Sequence, residues 1–133
     1  MRPAPLFIVT AVLEAGTALL LLFVPAVPLT LLLGLEQAAP EALLVARVAG
    51  VALLAIGVAC WLARGDERSA ARVGLLIGIL IYDIGAAALL VYAGLGLGMA
   101  VLALWPAVVI HVALAVWGVL SLRAGQSAGK PAQ

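Results

Sequence analysis

The chain has 133 residues, of which 67% are hydrophobic and only 10% are charged, and its mean hydropathy is +1.32. This composition excludes an ordinary soluble domain, in which roughly 45–50% of residues are apolar. The net charge of +1 gives no indication of a nucleic-acid partner. The single cysteine, Cys60, lies within an apolar run, where we expect a buried and inert thiol.

Four apolar segments are long enough to cross a bilayer, which takes about 20 residues of helix. They are residues 6–24, 41–62, 70–93 and 99–122, and they leave no length for a soluble domain beside them. The first segment could instead be a signal peptide. However, Glu14 would lie in the middle of its apolar region, and the following prolines make a poor cleavage site. We therefore predict a transmembrane helix there.

The loops between these segments differ in composition. Residues 28–35 of the first loop are apolar, yet a first helix continued through them would be about 45 Å long, too long for a bilayer core of about 30 Å. Pro25 and Pro28 also oppose such a helix. A short helix at the membrane surface fits better. The second loop holds a charge run at 64–68, and the third, 94–98, alternates glycine with leucine as a turn.

The basic residues predict the orientation of the helices. Six of the seven lie on the side shared by the N-terminus, the second loop and the C-terminus: Arg2, Arg64, Arg68, Arg72, Arg123 and Lys130. By the positive-inside rule, both termini face the cytoplasm. The small, polar residues 123–133 are expected to form a disordered cytoplasmic tail. The predicted fold is all-α: a polytopic inner-membrane protein with one four-helix bundle, residues 1–122, and a short interfacial helix in its first loop.

Each predicted span contains one ionisable residue: Glu14, Arg47, Asp83 or His111. A charge at the centre of a transmembrane helix costs about 2.5–3.5 kcal/mol on insertion scales, so such residues usually mark functional sites. Helical rise places the two acids and the histidine near the midplane, and Arg47 about 9 Å below the outer end of its helix. We predict that the three midplane groups face one pocket, with Arg47 nearer its outer mouth.

The charges in this group do not balance. Two carboxylates and one guanidinium leave one negative charge inside the membrane when His111 is neutral. Because burial penalises that charge, we expect the group to hold an extra proton, on the histidine or on a carboxyl group. Glu14, Asp83 and His111 are therefore candidate catalytic groups for acid/base chemistry or a proton relay. The same charges can also form an ionic knot that only fixes helix packing.

Further candidates for ligand binding are Arg47, Thr10, Thr17 and Tyr82. The two threonines share a stripe of the first helix with Glu14. Their hydroxyls are better interpreted as bonding back to helix carbonyls than as nucleophiles. One histidine and two acids, without a second histidine or a usable cysteine, do not make a zinc or copper ligand set, so no metal is expected. The cofactor is left open.

The chain resembles two known families, one over most of its length and one in its first helix only. The acid-containing first helix, Leu13-Glu14-Ala15-Gly16-Thr17, the segment Ala46-Arg47-Val48-Ala49-Gly50 and the overall length resemble small bacterial four-helix membrane proteins of the DoxX-like group. Some members of that group are linked to quinone-reducing oxidoreductase subunits, so the resemblance implies a quinone-like ligand. More locally, residues 13–19 are similar to the first helix of small multidrug resistance transporters, which carry a membrane-embedded glutamate.

The favoured function is a membrane protein whose buried polar pocket binds a small or lipophilic, quinone-like ligand, as a subunit of a membrane complex or as an acid/base enzyme. Two alternatives stay open. One is a proton-coupled small-molecule transporter, whose dimer would be parallel because of the basic asymmetry. The other is a structural or assembly protein whose buried charges only fix packing. The expected partners are the lipid bilayer, the ligand, and a parallel homo-oligomer or a membrane-complex subunit, with no nucleic acid.

Overall fold

A computed structural model of the protein describes residues 4–67, 69–99 and 101–127. Within these ranges it contains five helices and no strand. They are α1 (Ala4–Phe23), α2 (Ala26–Leu33), α3 (Pro40–Ala63), α4 (Ala70–Leu95) and α5 (Leu104–Ser127). All but α2 are long and apolar enough to cross a membrane. The predicted all-α bundle of four membrane-spanning helices is confirmed, with a short fifth helix in the first loop.

The last helix differs from its prediction at both ends. It begins at Leu104 instead of residue 99, so Pro106 lies in its first turn, where a missing amide N–H costs no helical hydrogen bond. It also extends to Ser127, so residues 123–127 are helical instead of forming a disordered tail. The rest of the predicted tail, 128–133, lies outside the described residues, as do the basic residues Arg2, Arg68 and Lys130.

The four long helices form two antiparallel pairs. Helix α1 packs on α3 and α4 packs on α5, whereas contacts between the two pairs are sparse. Glycines bring α3 close to α1: a Cβ atom at Gly57 would lie 3.2 Å from the carbonyl oxygen of Ala11 and 3.2 Å from the amide nitrogen of Ala15. A Cβ atom at Gly50 would be as crowded, 3.1 Å from the carbonyl oxygen of Ala18. Small residues let helix backbones approach in this way in lipid.

The bundle has two ends, which we name by the chain. At the terminal end α1 and α4 begin and α3 and α5 end; at the loop end lie α2 and the turn that precedes α5. An apolar core fills the terminal half, and we call it the terminal core: Leu6, Phe7, Ala11, Cys60, Ala63, Leu76, Ile79 and Leu114. The thiol of Cys60 is fully buried and free, as expected. At the loop end, α2 is tied to the α5 side because the amide of Ala103 donates to the carbonyl of Leu31 at 3.3 Å.

Candidate functional site

A hydrogen-bonded pair between α4 and α5 forms the polar centre of the bundle. Nδ1 of His111 lies 2.9 Å from Oδ1 of Asp83, and its N–H donates to that carboxylate oxygen. The Asp83 side chain is 1% exposed and that of His111 is 16% exposed. Because Nδ1 is engaged by the aspartate, Nε2 is the ring nitrogen left to meet a ligand. The structure thus brings together two of the three residues predicted near the midplane.

Tyr82 joins this pair to Glu14 on α1. Its ring meets the His111 ring edge-on, with centroids 5.5 Å apart and an interplanar angle of 82°. Its phenol is within hydrogen-bonding reach of the Glu14 carboxyl group, which also interacts electrostatically with Asp83 and the histidine. Neighbouring residues of a helix point about 100° apart. The Asp83 side chain therefore bonds to His111 of the same helix pair, while the Tyr82 side chain extends towards Glu14 of the other pair.

These groups line a cavity of about 180 Å³ between the two helix pairs. Its polar wall consists of Glu14, Thr17, Tyr82 and His111. Its apolar wall consists of Leu13, Leu32, Leu90, Ala107, Ile110 and Leu114. Leu90 lies seven residues beyond Asp83 on α4, about 10 Å nearer the loop end, and Leu32 belongs to α2. The cavity therefore extends from the midplane towards the loop end, under α2.

A second hollow, of about 260 Å³, lies between α1 and α3. It is lined by Ala11, Val12, Ala15, Gly57, Val58 and Trp61. Although it is larger, it lacks the ionisable groups that gather in the first cavity. The cavity at Glu14 and His111 is the better candidate for a site because it joins apolar walls to several convergent polar groups.

Arg47 is not brought to the cavity. It is exposed on α3, and its Nε donates to the carbonyl oxygen of Leu22 at 3.3 Å. That carbonyl belongs to the last turn of α1, where no following helical amide is available to bond it. The cation also opposes the negative end of the α1 dipole. The predicted depth of Arg47 places it at this level, but the face of α3 that carries Gly50 turns it towards the end of α1.

The two threonines have different surroundings. Thr17 lines the cavity, whereas Thr10, about two turns nearer the terminal end, is fully buried away from it. In the described part of the chain, the Thr10 hydroxyl has no hydrogen-bond partner, although we expected it to bond back to its own helix.

Leu32, in the cavity wall, was not predicted. The signal for it was the long apolar run in the first loop, which we assigned to the membrane surface.

The arrangement suits hydrogen bonding and proton exchange with a ligand oxygen. The neutral histidine tautomer that donates to Asp83 accepts a hydrogen bond at Nε2, and the doubly protonated ring donates one there. Glu14 and Tyr82 offer a second donor and acceptor across the cavity. Among the residues that the structure describes, no three histidine, cysteine or acidic side chains converge in the way a metal ion requires.

Comparisons of the chain with protein-family models, with curated proteins and with solved structures find no match. The resemblances to the DoxX-like group and to the small multidrug resistance transporters therefore stay expectations.

Proposed function

We propose that this protein binds a small lipophilic ligand with a quinone-like head group in the cavity between its two helix pairs. The observation that carries the proposal is the cavity itself, where a histidine fixed by Asp83 faces apolar walls in the middle of the bundle. Its volume of about 180 Å³ is close to the roughly 150 Å³ of a protein cavity that accepts one aromatic ring. The ring head of a quinone has that size, and its two oxygens match the two groups of polar side chains.

The polar side chains would recognise either form of such a head group. A carbonyl oxygen accepts a hydrogen bond from the protonated histidine or from the phenol of Tyr82. A hydroxyl group donates to the neutral Nε2 of His111 or to the Glu14 carboxylate. The site can therefore give a proton to the ligand or take one from it. The apolar side chains around Leu90 exclude water, which strengthens each of these hydrogen bonds.

The proposal includes a location. The basic residues at the terminal end support a bacterial inner-membrane protein with both termini in the cytoplasm, in which the cavity lies in the half of the bilayer facing away from the cytoplasm. The layout shared with DoxX-like proteins supports the same class of ligand. The same layout supports a role for the protein as a subunit of a larger membrane complex.

A binding measurement tests the proposal. The purified full-length protein in lipid nanodiscs is titrated with a short-chain ubiquinone analogue, and saturable binding is expected. The variants Glu14→Gln and His111→Gln should each weaken binding about tenfold or more, because each removes a hydrogen bond to a charged group. The variant Glu41→Gln, which neutralises an exposed acid in the first turn of α3, is the matched control and should bind normally.

Two outcomes would overturn the proposal. The first is a wild-type protein that does not bind the analogue saturably. The second is normal binding by both site variants, which would favour the alternative in which the buried charges only fix helix packing. Transport remains a separate alternative. It would be promoted by stoichiometric proton release when a lipophilic cation is added, provided that the release disappears in Glu14→Gln.

A further inference from the structure

Several buried polar atoms in the terminal half remain without a hydrogen-bond partner among the described residues. They are Thr10 Oγ1, Arg72 Nε, Trp117 Nε1 and Ser121 Oγ, and Asp83 Oδ2 joins them at the polar centre. Thr10 is fully buried, Asp83 is 1% exposed and Ser121 is 4% exposed. Buried polar groups in proteins are nearly always paired, with each other or with ordered water. Four such atoms in one half of a small bundle, with a fifth at its polar centre, therefore indicate internal water sites.

Counted along their helix axes, these atoms lie at successive levels between the polar centre and the terminal end, and we call this axial series the ladder. Counted at 1.5 Å per residue from the level of Glu14, His111 and Asp83, Thr10 lies about 6 Å towards the terminal end and Trp117 about 9 Å. Ser121 lies about 15 Å away, and Arg72, at the start of α4, about 16 Å. No axial step exceeds about 6 Å, the distance that one water spans when it bonds to two polar atoms at about 3 Å each.

The same side chains surround one region of the terminal core. The Arg72 guanidinium lies 5.3 Å from the ring centroid of Phe7 on α1, and Phe7 is one turn from Thr10. Trp117 packs against the terminal core, and Ser121, one turn further along α5, is buried as well. The ladder therefore consists of buried atoms that belong to side chains of α1, α4 and α5 in the terminal half. Its upper end is the second carboxylate oxygen of the aspartate that holds the histidine.

We propose that this ladder is a proton path from the terminal end of the bundle to Oδ2 of Asp83. The hydroxyls of Thr10 and Ser121 relay protons, because each can accept one hydrogen bond while donating another. The indole N–H of Trp117 and the Nε–H of Arg72 only donate, so they hold water in place without carrying the proton. At each step an O–H bond breaks as the next one forms, and the net result is the movement of one proton to Asp83.

The surface around the mouth of the path suits this role. Nη1 of Arg72 donates to the backbone carbonyl of Asp66 at 2.6 Å, whereas its Nε is buried. The loop that holds this carbonyl also contains the exposed acids Asp66 and Glu67. This inference rests on the proposed function for its use, because the path brings from the terminal end the proton that a ligand in the cavity exchanges.

The single histidine of the chain gives a clean measurement. Full-length protein labelled with ¹⁵N-histidine and purified without a histidine tag is transferred to D₂O in nanodiscs, and exchange of the His111 ring N–H is followed by NMR. In Thr10→Val/Ser121→Ala, exchange should be about tenfold slower or more, because two hydrogen-bonding stations are lost. Thr17→Val removes a hydroxyl on the cavity side and should exchange like the wild type. Ser121→Ala alone is the milder variant if the double variant does not fold.

Unchanged exchange in the double variant overturns the path, and so does equal slowing in Thr17→Val, which would point to access through the cavity. Slowing confined to the variants of the terminal half supports it. The measurement uses no ligand, so it can fail while the ubiquinone analogue still binds. Conversely, the double variant should bind that analogue like the wild type, because neither residue lines the cavity.

Discussion

Gly57 of α3 controls the position of the α1 turn that carries Glu14. A Cβ atom at Gly57 would meet backbone atoms of Ala11 and Ala15, each at 3.2 Å, so in Gly57→Ala the helices must separate by a few tenths of an ångström. Overpacking of this kind costs roughly 1–3 kcal/mol, and alanine returns about 0.5–1 kcal/mol of helix propensity. We expect a net loss of about 0.5–2 kcal/mol, together with weaker binding of the ubiquinone analogue because Glu14 shifts relative to Tyr82.

Gly16→Ala is the matched control for this prediction. A Cβ atom at Gly16 meets no heavy atom within 4 Å, so only the gain in helix propensity remains and the variant should be as stable as the wild type or slightly more stable. Reversible unfolding of both variants in mixed micelles measures the difference. If Gly57→Ala and Gly16→Ala have the same free energy of unfolding within about 0.5 kcal/mol, glycine does not set the spacing of α1 and α3, and the reasoning is refuted.

Two further predictions follow from the placement of single side chains, and a third from the predicted orientation of the chain. Arg47→Leu removes the donor to the Leu22 carbonyl at the end of α1, and should lower the free energy of unfolding by about 0.5–1 kcal/mol. The affinity for the ligand should not change. A loss of 3–5 kcal/mol would instead indicate a broken buried ion pair. Tyr82→Phe keeps the ring contact with the histidine but loses the phenol hydroxyl near Glu14. The ubiquinone analogue should therefore bind several-fold more weakly, and the free energy of unfolding should change by about 1 kcal/mol. Equal affinity would show that Tyr82 is not part of the binding site. Reporter fusions after the last residue and in the turn between α4 and α5 should lie on opposite sides of the membrane, and reporters on the same side would contradict the orientation.

The sequence predicted positions along the bundle axis well. Composition and segment length are enough to find four spans, and a fixed rise per residue places Glu14, Asp83 and His111 at one depth. Two of these three then meet directly, with the third close by across Tyr82. These predictions succeed because depth depends only on where a helix enters the membrane. Neighbouring helices do not change it.

Positions around each helix axis were harder to predict. With one ionisable residue per span, the sequence does not say which helices pair, and the depth of Arg47 alone predicted a place near the outer mouth of the pocket. The close approach at Gly50 pairs α3 with α1, which directs the arginine to the end of α1 instead. Leu32 was missed for a related reason: an apolar run in a loop can rest on lipid or on protein, and only the tertiary arrangement places α2 over the cavity.

The division into two helix pairs has a consequence for how the chain assembles. In the second pair, α4 and α5, the buried acid Asp83 already has a hydrogen-bond partner, because His111 belongs to the same pair. Glu14 of the first pair lies within hydrogen-bonding reach of Tyr82 across the boundary between the pairs. We therefore expect the two pairs to dock after α4 and α5 have paired. Chains severed in the loop between α3 and α4 should reassemble when the two fragments are made together, and a bound head group at the boundary would strengthen that union.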